Sequence, residues 1–183
     1  MRRRGLEEAT DRRSVAQQMR LKKGWLFLLA LALQHFAVTE QWYMSPAYPL
    51  MVGASYALLI WGAVINLHHP GFRFLLAGTL LNLAPLAIHG WYMPVTPETL
   101  SAAGFSHEAT LSNGTYLVGS KSILLARGDT SLWMFTDVIP VSWPIRMVFS
   151  PGDLLVLLGL CLLLIDVVRA FPHQRPGTEL RPE

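Results

Sequence analysis

Two carboxylates stand in one mostly apolar stretch, FTDVIPVSWPIRMVFSPGDLLVLLG, which runs from Phe135 to Gly159: Asp137 and Asp153. Two carboxyl groups brought close together cannot both stay ionised. One pKa rises, and the pair can then share a proton and activate water. That is aspartic-hydrolase chemistry, and it makes Asp137 and Asp153 the candidate catalytic residues. Each also has a local, structural role open to it. In SPGD, Ser150 suits a helix N-cap, Pro151 the first helical position and Asp153 the third. A carboxylate there completes a capping box and meets the positive end of the helix dipole. Asp137 could form an Asx-turn ahead of Pro140.

Other polar side chains lie inside apolar runs, where an ionisable or hydrogen-bonding group is costly. Asn82 is one, with Pro85 a turn further on; an interhelical hydrogen bond worth roughly 1 kcal/mol is the ordinary use of such a residue. Gln34 and His35 form a second polar spot, and His89 a third. His35 and His89 fall at similar depth, so two facing imidazoles could ligate a haem or another tetrapyrrole. No other cofactor is evident. Asp166 and Arg169 are spaced to pair on one helix face.

The elements that must position these residues are apolar helices. The 183 residues are 52% hydrophobic and 15% charged, a composition that departs from soluble domains and points to a membrane protein. Four segments approach the roughly 20 residues that cross a bilayer core: about Gly24–Trp42, Tyr48–Leu67, Phe72–Trp91 and Gly152–Ala170. A backbone in lipid must satisfy its own hydrogen bonds, so these are expected to be helices. Arg2, Arg3, Arg4, Arg12, Arg13, Arg20, Lys22 and Lys23 precede the first span, Arg73 follows the second, and Arg169, Arg175 and Arg181 lie at or beyond the end of the fourth. Only Lys121, Arg127 and Arg146 fall on the other side. The positive-inside rule then places both termini in the cytoplasm, as four spans require. The expected class is an all-α integral membrane protein of the bacterial inner membrane. It would have a basic cytoplasmic tail (1–22), a four-helix transmembrane domain (23–170) and a second cytoplasmic tail (171–183). The lipid bilayer is the implied partner. The basic residues sit at membrane borders, and no nucleic-acid surface is evident.

Residues 92–150 form a long extracytoplasmic cap between the third and fourth helices. Thr96, Pro97 and Glu98 suit a helix start and Gly104 a helix stop, which predicts a short helix over 97–103. Asn113-Gly114 between β-formers is a hairpin signal. Trp42, Tyr43, Trp133, Phe135, Trp143 and Phe149 suit the membrane interface. Cys161 is the single cysteine and cannot form an internal disulfide.

The stretch Phe135-Thr136-Asp137-Val138, followed by Phe149-Ser150-Pro151-Gly152-Asp153 and Gly159, resembles the last two motifs of signal peptidase II, with Ser150 standing where that family has asparagine. The resemblance implies four spans, both termini inside, and Asp137 with Asp153 as a catalytic dyad. A broader resemblance, over NLAPLAIHGWYMPVTPETL, TDVIP and SPGDLLVLLG, is to a family of uncharacterised bacterial membrane proteins known as a domain of unknown function. It implies that these outer segments pack into one cap, and it carries no activity. Three functions stay open: an accessory or scaffold subunit binding other membrane subunits through small Gly/Ala-rich faces, an aspartic membrane peptidase, and a haem-, pigment- or ligand-binding protein.

Overall fold

The computed structural model describes residues 21–39, 42 and 44–170. The basic N-terminal residues up to Arg20, Tyr43, and the C-terminal tail from Phe171 lie outside the described residues.

The chain is mostly helical. Apolar runs give helices α1 (Trp25–Ala37), α2 (Tyr48–Val64) and α3 (Pro70–Ile88), the last continuing through Pro85. Proline opens α2 and α3, where its missing N–H costs nothing. The cap follows, with a short helix α4 (Pro97–Ala102), and the chain returns through α5 (Pro151–Ala170). Two of these, α3 and α5, are long and apolar enough to cross a membrane. The first expected span is shorter than anticipated. Helix α1 stops at Ala37 and the chain turns before Trp42, so at about 1.5 Å per residue it falls short of a full bilayer core.

Helices α3 and α5 run against each other along a seam of glycine. Gly71 faces Gly159, and Gly78 faces Gly152, each pair spaced by one heptad along its own helix. A methyl group on Gly71 would lie 2.6 Å from the Gly159 carbonyl oxygen, and one on Gly78 would run into that of Gly152. The approach exists only because these positions lack a Cβ. These four glycines therefore pack against one another inside the molecule. At the opposite end from the cap, buried Asn66 ties the end of α2 to the chain entering α1: its side chain accepts from Lys22 N–H at 2.8 Å and donates to the Lys22 carbonyl at 2.9 Å.

The cap departs from the all-helical expectation. It contains four short strands: β1 (Met93–Val95), β2 (Ser122–Leu124), β3 (Ile139–Val141) and β4 (Met147–Phe149). Strands β1 and β2 pair in parallel, Met93 opposite Ser122 and Val95 opposite Leu124, with α4 in the crossover between them. Strands β3 and β4 form an antiparallel hairpin that leads into α5. The reason is backbone satisfaction. Met93, Pro94 and Val95 are all buried, and buried carbonyls and N–H groups need partners that a helix of this length cannot supply. The hairpin expected at Asn113-Gly114 reverses elsewhere: Tyr116 bridges Ile123 across a turn at Val118-Gly119. Asn113 instead pins a neighbouring loop, donating to Asp129 at 2.9 Å and accepting from Ala126 N–H at 2.7 Å.

The core joins cap to bundle. Ala37, Tyr48, Val52, Tyr56 and Leu86 from the helices pack with Tyr92, Met93 and Ile123 from the cap. Where α3 ends, Gly90 and Trp91 both adopt left-handed backbone, φ 66° and 74°. That turn lays the Trp91 ring on Gly53 of α2. A smaller cluster of Val95, Leu100 and Leu124 fills the cap itself.

Candidate functional site

The capping chemistry read from SPGD forms as expected. Ser150 is fully buried at the start of α5; its N–H donates to Asp153 Oδ2 at 2.9 Å, and Asp153 N–H donates back to Ser150 Oγ at 3.1 Å. Ser150 Oγ lies 2.7 Å from Asp153 Oδ2 and the same distance from Asn82 Oδ1. Asn82 Nδ2 in turn donates to Asp153 Oδ1 at 2.8 Å. Asn82 therefore makes an interhelical bond, and its partner is the helix cap of α5. Both Asp153 oxygens are held.

Asp137 is placed by a different device. A 3-10 turn at Trp133–Phe135, closed by buried Thr136 donating to the Trp133 carbonyl at 2.7 Å, lays the next residue beside β1. Asp137 N–H then donates to the Pro94 carbonyl at 3.1 Å, and Asp137 bridges Val95 as a third, one-residue strand. Its side chain accepts one hydrogen bond, from Ser122 Oγ to Oδ2 at 3.2 Å. No Asx-turn forms at this residue; it reaches across β1 to β2.

The two aspartates differ in what surrounds them. Burial pushes the Asp137 carboxyl up to about 7, and the Asp153 carboxylate pushes it the same way; the Ser122 bond and the Lys121 ammonium act against them. Lys121, read from sequence only as a charge on the outer side, turns inward. Its Nζ donates to Gln34 Oε1 of α1 at 3.1 Å and sits 5.6 Å from the ring centre of Tyr56. Burial lowers the proton affinity of Lys121, while Asp153 and Asp137 raise it. Gln34, Asn82, Asp137 and Asp153 thus meet at one junction of cap and bundle, joined by Lys121, Ser122, Ser150 and Tyr56. The sequence signal for Lys121 was its place in SKS directly before a β-forming segment, where Ser120 Oγ bonds the backbone of Leu117 and Ser122.

The histidines do not join this junction. His89 caps α3: its Nδ1 lies 2.7 Å from the Pro85 carbonyl, and Ser131 N–H donates to its Nε2 at 3.2 Å. An acceptor at Nε2 makes Nδ1 the protonated nitrogen, so neither ring nitrogen keeps a lone pair for an iron. His35 is exposed on α1, with its ring against Phe36. The expected His35/His89 pair for a haem is therefore not assembled. No group of three or more metal-ligating side chains occurs among the described residues. Asp166 and Arg169 form no ion pair among the described residues.

On the cap side of Asp137 lies a cavity of about 260 Å³. Val95, Leu100, Phe105, Leu117 and Val148 give it apolar walls, and Asp137, Ser122, Ser120 and Glu108 supply its polar edge. Asp137 thus has one side toward the charged junction and the other toward an apolar hollow.

The match to known proteins covers most of this architecture. A family described as a family of unknown function, DUF5317, matches residues 18–165. The chain belongs to that family. An uncharacterised protein of Thermotoga maritima is 26% identical over 132 residues, covering 71% of each chain. No solved structure matches. The matched span of DUF5317 contains α1 to α4, the whole cap and most of α5, so the polar junction and the cavity both lie within it.

Proposed function

We propose that this DUF5317 protein is a four-span protein of a bacterial cytoplasmic membrane, with both termini inside and the cap outside, and that the cap binds a small ligand in the cavity walled by Asp137. The spans α1 and α2 are short, but turns extend them at both ends and their outer faces carry exposed Trp25, Leu28, Leu31, Leu50 and Trp61. Helix α5 exposes leucine on nearly every turn, a surface suited to lipid. The uneven distribution of arginine and lysine supports the orientation. With Cys161 replaced by serine, Val118→Cys should react with a membrane-impermeant maleimide in intact cells; protection there would sink the orientation.

The ligand reading is carried by one observation: a carboxyl pushed to about 7 forms the wall of the cap cavity. A perturbed titrating group in a concave, mostly apolar site is the usual mark of a binding or active site. An accessory-subunit role draws no support from the four seam glycines, which pack between α3 and α5. The test is thermal stability of the purified protein across a set of small amphiphiles. A ligand present at 100 times its Kd adds roughly 2.7 kcal/mol. Stabilisation should vanish in Val148→Trp, which fills the cavity; an equal response in that variant would refute the site.

The push of Asp153 on Asp137 favours a second reading, an aspartic membrane hydrolase resembling signal peptidase II. It is the lesser one, because Asn82 and Ser150 already occupy both Asp153 oxygens. Unchanged lipoprotein processing in Asp137→Asn and Asp153→Asn would end it.

A further inference from the structure

The cavity's hydrogen-bonding groups have a one-sided account. Ser122 Oγ spends its hydrogen on Asp137 Oδ2. Ser120 Oγ spends its own on the Leu117 carbonyl at 2.8 Å and accepts from Ser122 N–H at 3.0 Å. Glu108 brings a further carboxylate to the edge. The polar lining is therefore rich in acceptors and short of donors: among the described residues, Asp137 Oδ1 accepts no hydrogen bond, and no lysine or arginine lines the cavity. The two cations nearby are directed elsewhere. Lys121 binds Gln34, and Arg146 donates to the Gly104 carbonyl at 2.9 Å while lying over Phe105. A ligand that satisfies this lining must bring the donors and the positive charge, and the apolar walls require the rest of it to be hydrocarbon.

The geometry points to a primary alkyl ammonium as the ligand, a soluble amine whose –NH₃⁺ group sits against Asp137 Oδ1 and whose short chain fills the space among Leu100, Phe105, Leu117 and Val148. This rests on the cavity being a ligand site at all, and it names the chemical class that the site takes. The volume, just under the 300–1,000 Å³ of drug-sized pockets, suits a small amine. Size alone would admit an alcohol or a fatty acid. The alcohol brings no positive charge to the cavity side of Asp137, and the fatty acid sets a third carboxylate beside Asp137 and Glu108.

Charge gives the site a pH signature. The groups facing Asp137 are Asp153 on α5, Tyr56 on α2, Lys121 and Ser122 at β2, and Glu108 across the cavity. An alkyl ammonium stays protonated across the neutral range, whereas Asp137 must give up its proton to receive it. Proton and amine therefore compete for one carboxylate.

The full chain in phosphatidylcholine nanodiscs, with empty nanodiscs subtracted for partitioning, separates the outcomes by calorimetry with hexylamine, hexanol and hexanoate. Hexylamine should bind best and tighten about tenfold between about pH 6 and about pH 8, as the ionised fraction of a group titrating near 7 rises. Hexanol should bind more weakly and equally at both pH values. Asp137→Asn should remove the pH rise while hexanol binding persists, which shows the variant to be folded. Hexylamine no tighter than hexanol at the higher pH, or hexanoate the tightest of the three, overturns the ammonium class and leaves the cavity as a site. No binding of any of the three refutes the cavity reading itself. Loss of hexylamine binding on adding phosphatidylethanolamine overturns the soluble source and moves the ammonium to a lipid headgroup.

Discussion

The seam between α3 and α5 and the junction between cap and bundle use opposite physics. Along the seam, Gly71 meets Gly159 and Gly78 meets Gly152 with no side chain between the backbones. Nothing there titrates. At the junction, Asp137, Asp153, Lys121, Tyr56, Gln34 and Asn82 crowd into one region, and the Asp137 side chain accepts a single hydrogen bond among the described residues. The seam has one solution, fixed by sterics. The junction holds a group balanced between two protonation states. In the membrane location proposed above, apolar contact between helices gains little, since lipid tails are equally apolar, so close backbone packing must supply the rigidity. That seam sets the start of α5, and with it Asp153, at a fixed place beside the cap.

The two regions meet at Gly152 and Asn82, and the largest mutational effect is expected there. A methyl on Gly152 would run into Asn82 Oδ1 and come within 2.7 Å of the Gly78 carbonyl oxygen. Gly152→Val should therefore cost at least the roughly 1–3 kcal/mol of an overpacked core and disturb the Asn82–Asp153 bond as well. Denaturation of the purified protein should show a clear fall in stability. A variant as stable as the parent would mean that the seam is slack and that the contrast drawn above is false.

Next in size is Asn82→Leu. It keeps the volume but removes the donor to Asp153 Oδ1 and the acceptor beside Ser150 Oγ. A loss of about 1–2 kcal/mol is expected, near the upper range for an interhelical polar contact in a membrane protein. Double-mutant analysis with Asp153→Ala should show coupling between the two; strictly additive losses would separate the cap of α5 from the seam.

The parts legible in the sequence are those governed by neighbours in the chain. Thr96 accepts from Thr99 N–H at 3.2 Å and starts α4 at Pro97, and the Ser150–Asp153 box starts α5 at Pro151. Both follow from three or four consecutive residues. The strands of the cap were not legible, because β1 and β2 are three residues each and pair across the whole of the intervening α4 segment. No local period marks a strand so short. The glycine spacing is visible in each helix alone, but which helix it faces is a tertiary fact. Lys121 was misjudged for a related reason. Charge counting places a lysine on a side of the membrane and says nothing of whether it points toward solvent or inward to Gln34. The two aspartates were legible as a pair, and the capping box at Asp153 already set them apart; their partners Asn82 and Ser122 were not legible, because both lie far away in the chain.

Asp137 makes the comparison measurable through pH. Its folded-state pKa is raised from 3.8 to about 7, so the folded protein keeps a proton that the unfolded chain has already lost over that window. Stability must fall as pH rises from about 4 to about 7 and then level off, since the state binding more protons is favoured by acid. Asp137→Asn mimics the protonated side chain. It should match the parent near pH 4 and exceed it above pH 7. Melting temperatures of both proteins across this range decide it. A parent whose stability rises through the same window would require Asp137 to be held ionised, and would remove the distinction between the two carboxylates.

The smallest effect on stability is expected at Lys121, and it is the most specific. Lys121→Met removes the bond to Gln34 and the one ammonium that opposes the push of Asp153 on Asp137. It also removes the cost of holding a charge away from water, so the net change in stability should stay within about 1 kcal/mol. The titration of Asp137 should nevertheless move to higher pH, because a positive neighbour has gone while Asp153 stays. The pH at which stability levels off in the parent reports this directly, and in Lys121→Met it should lie further toward alkali. If the curve instead keeps its position, Lys121 acts only as a tether between the cap and α1, and burial, Asp153 and Ser122 govern the proton on Asp137.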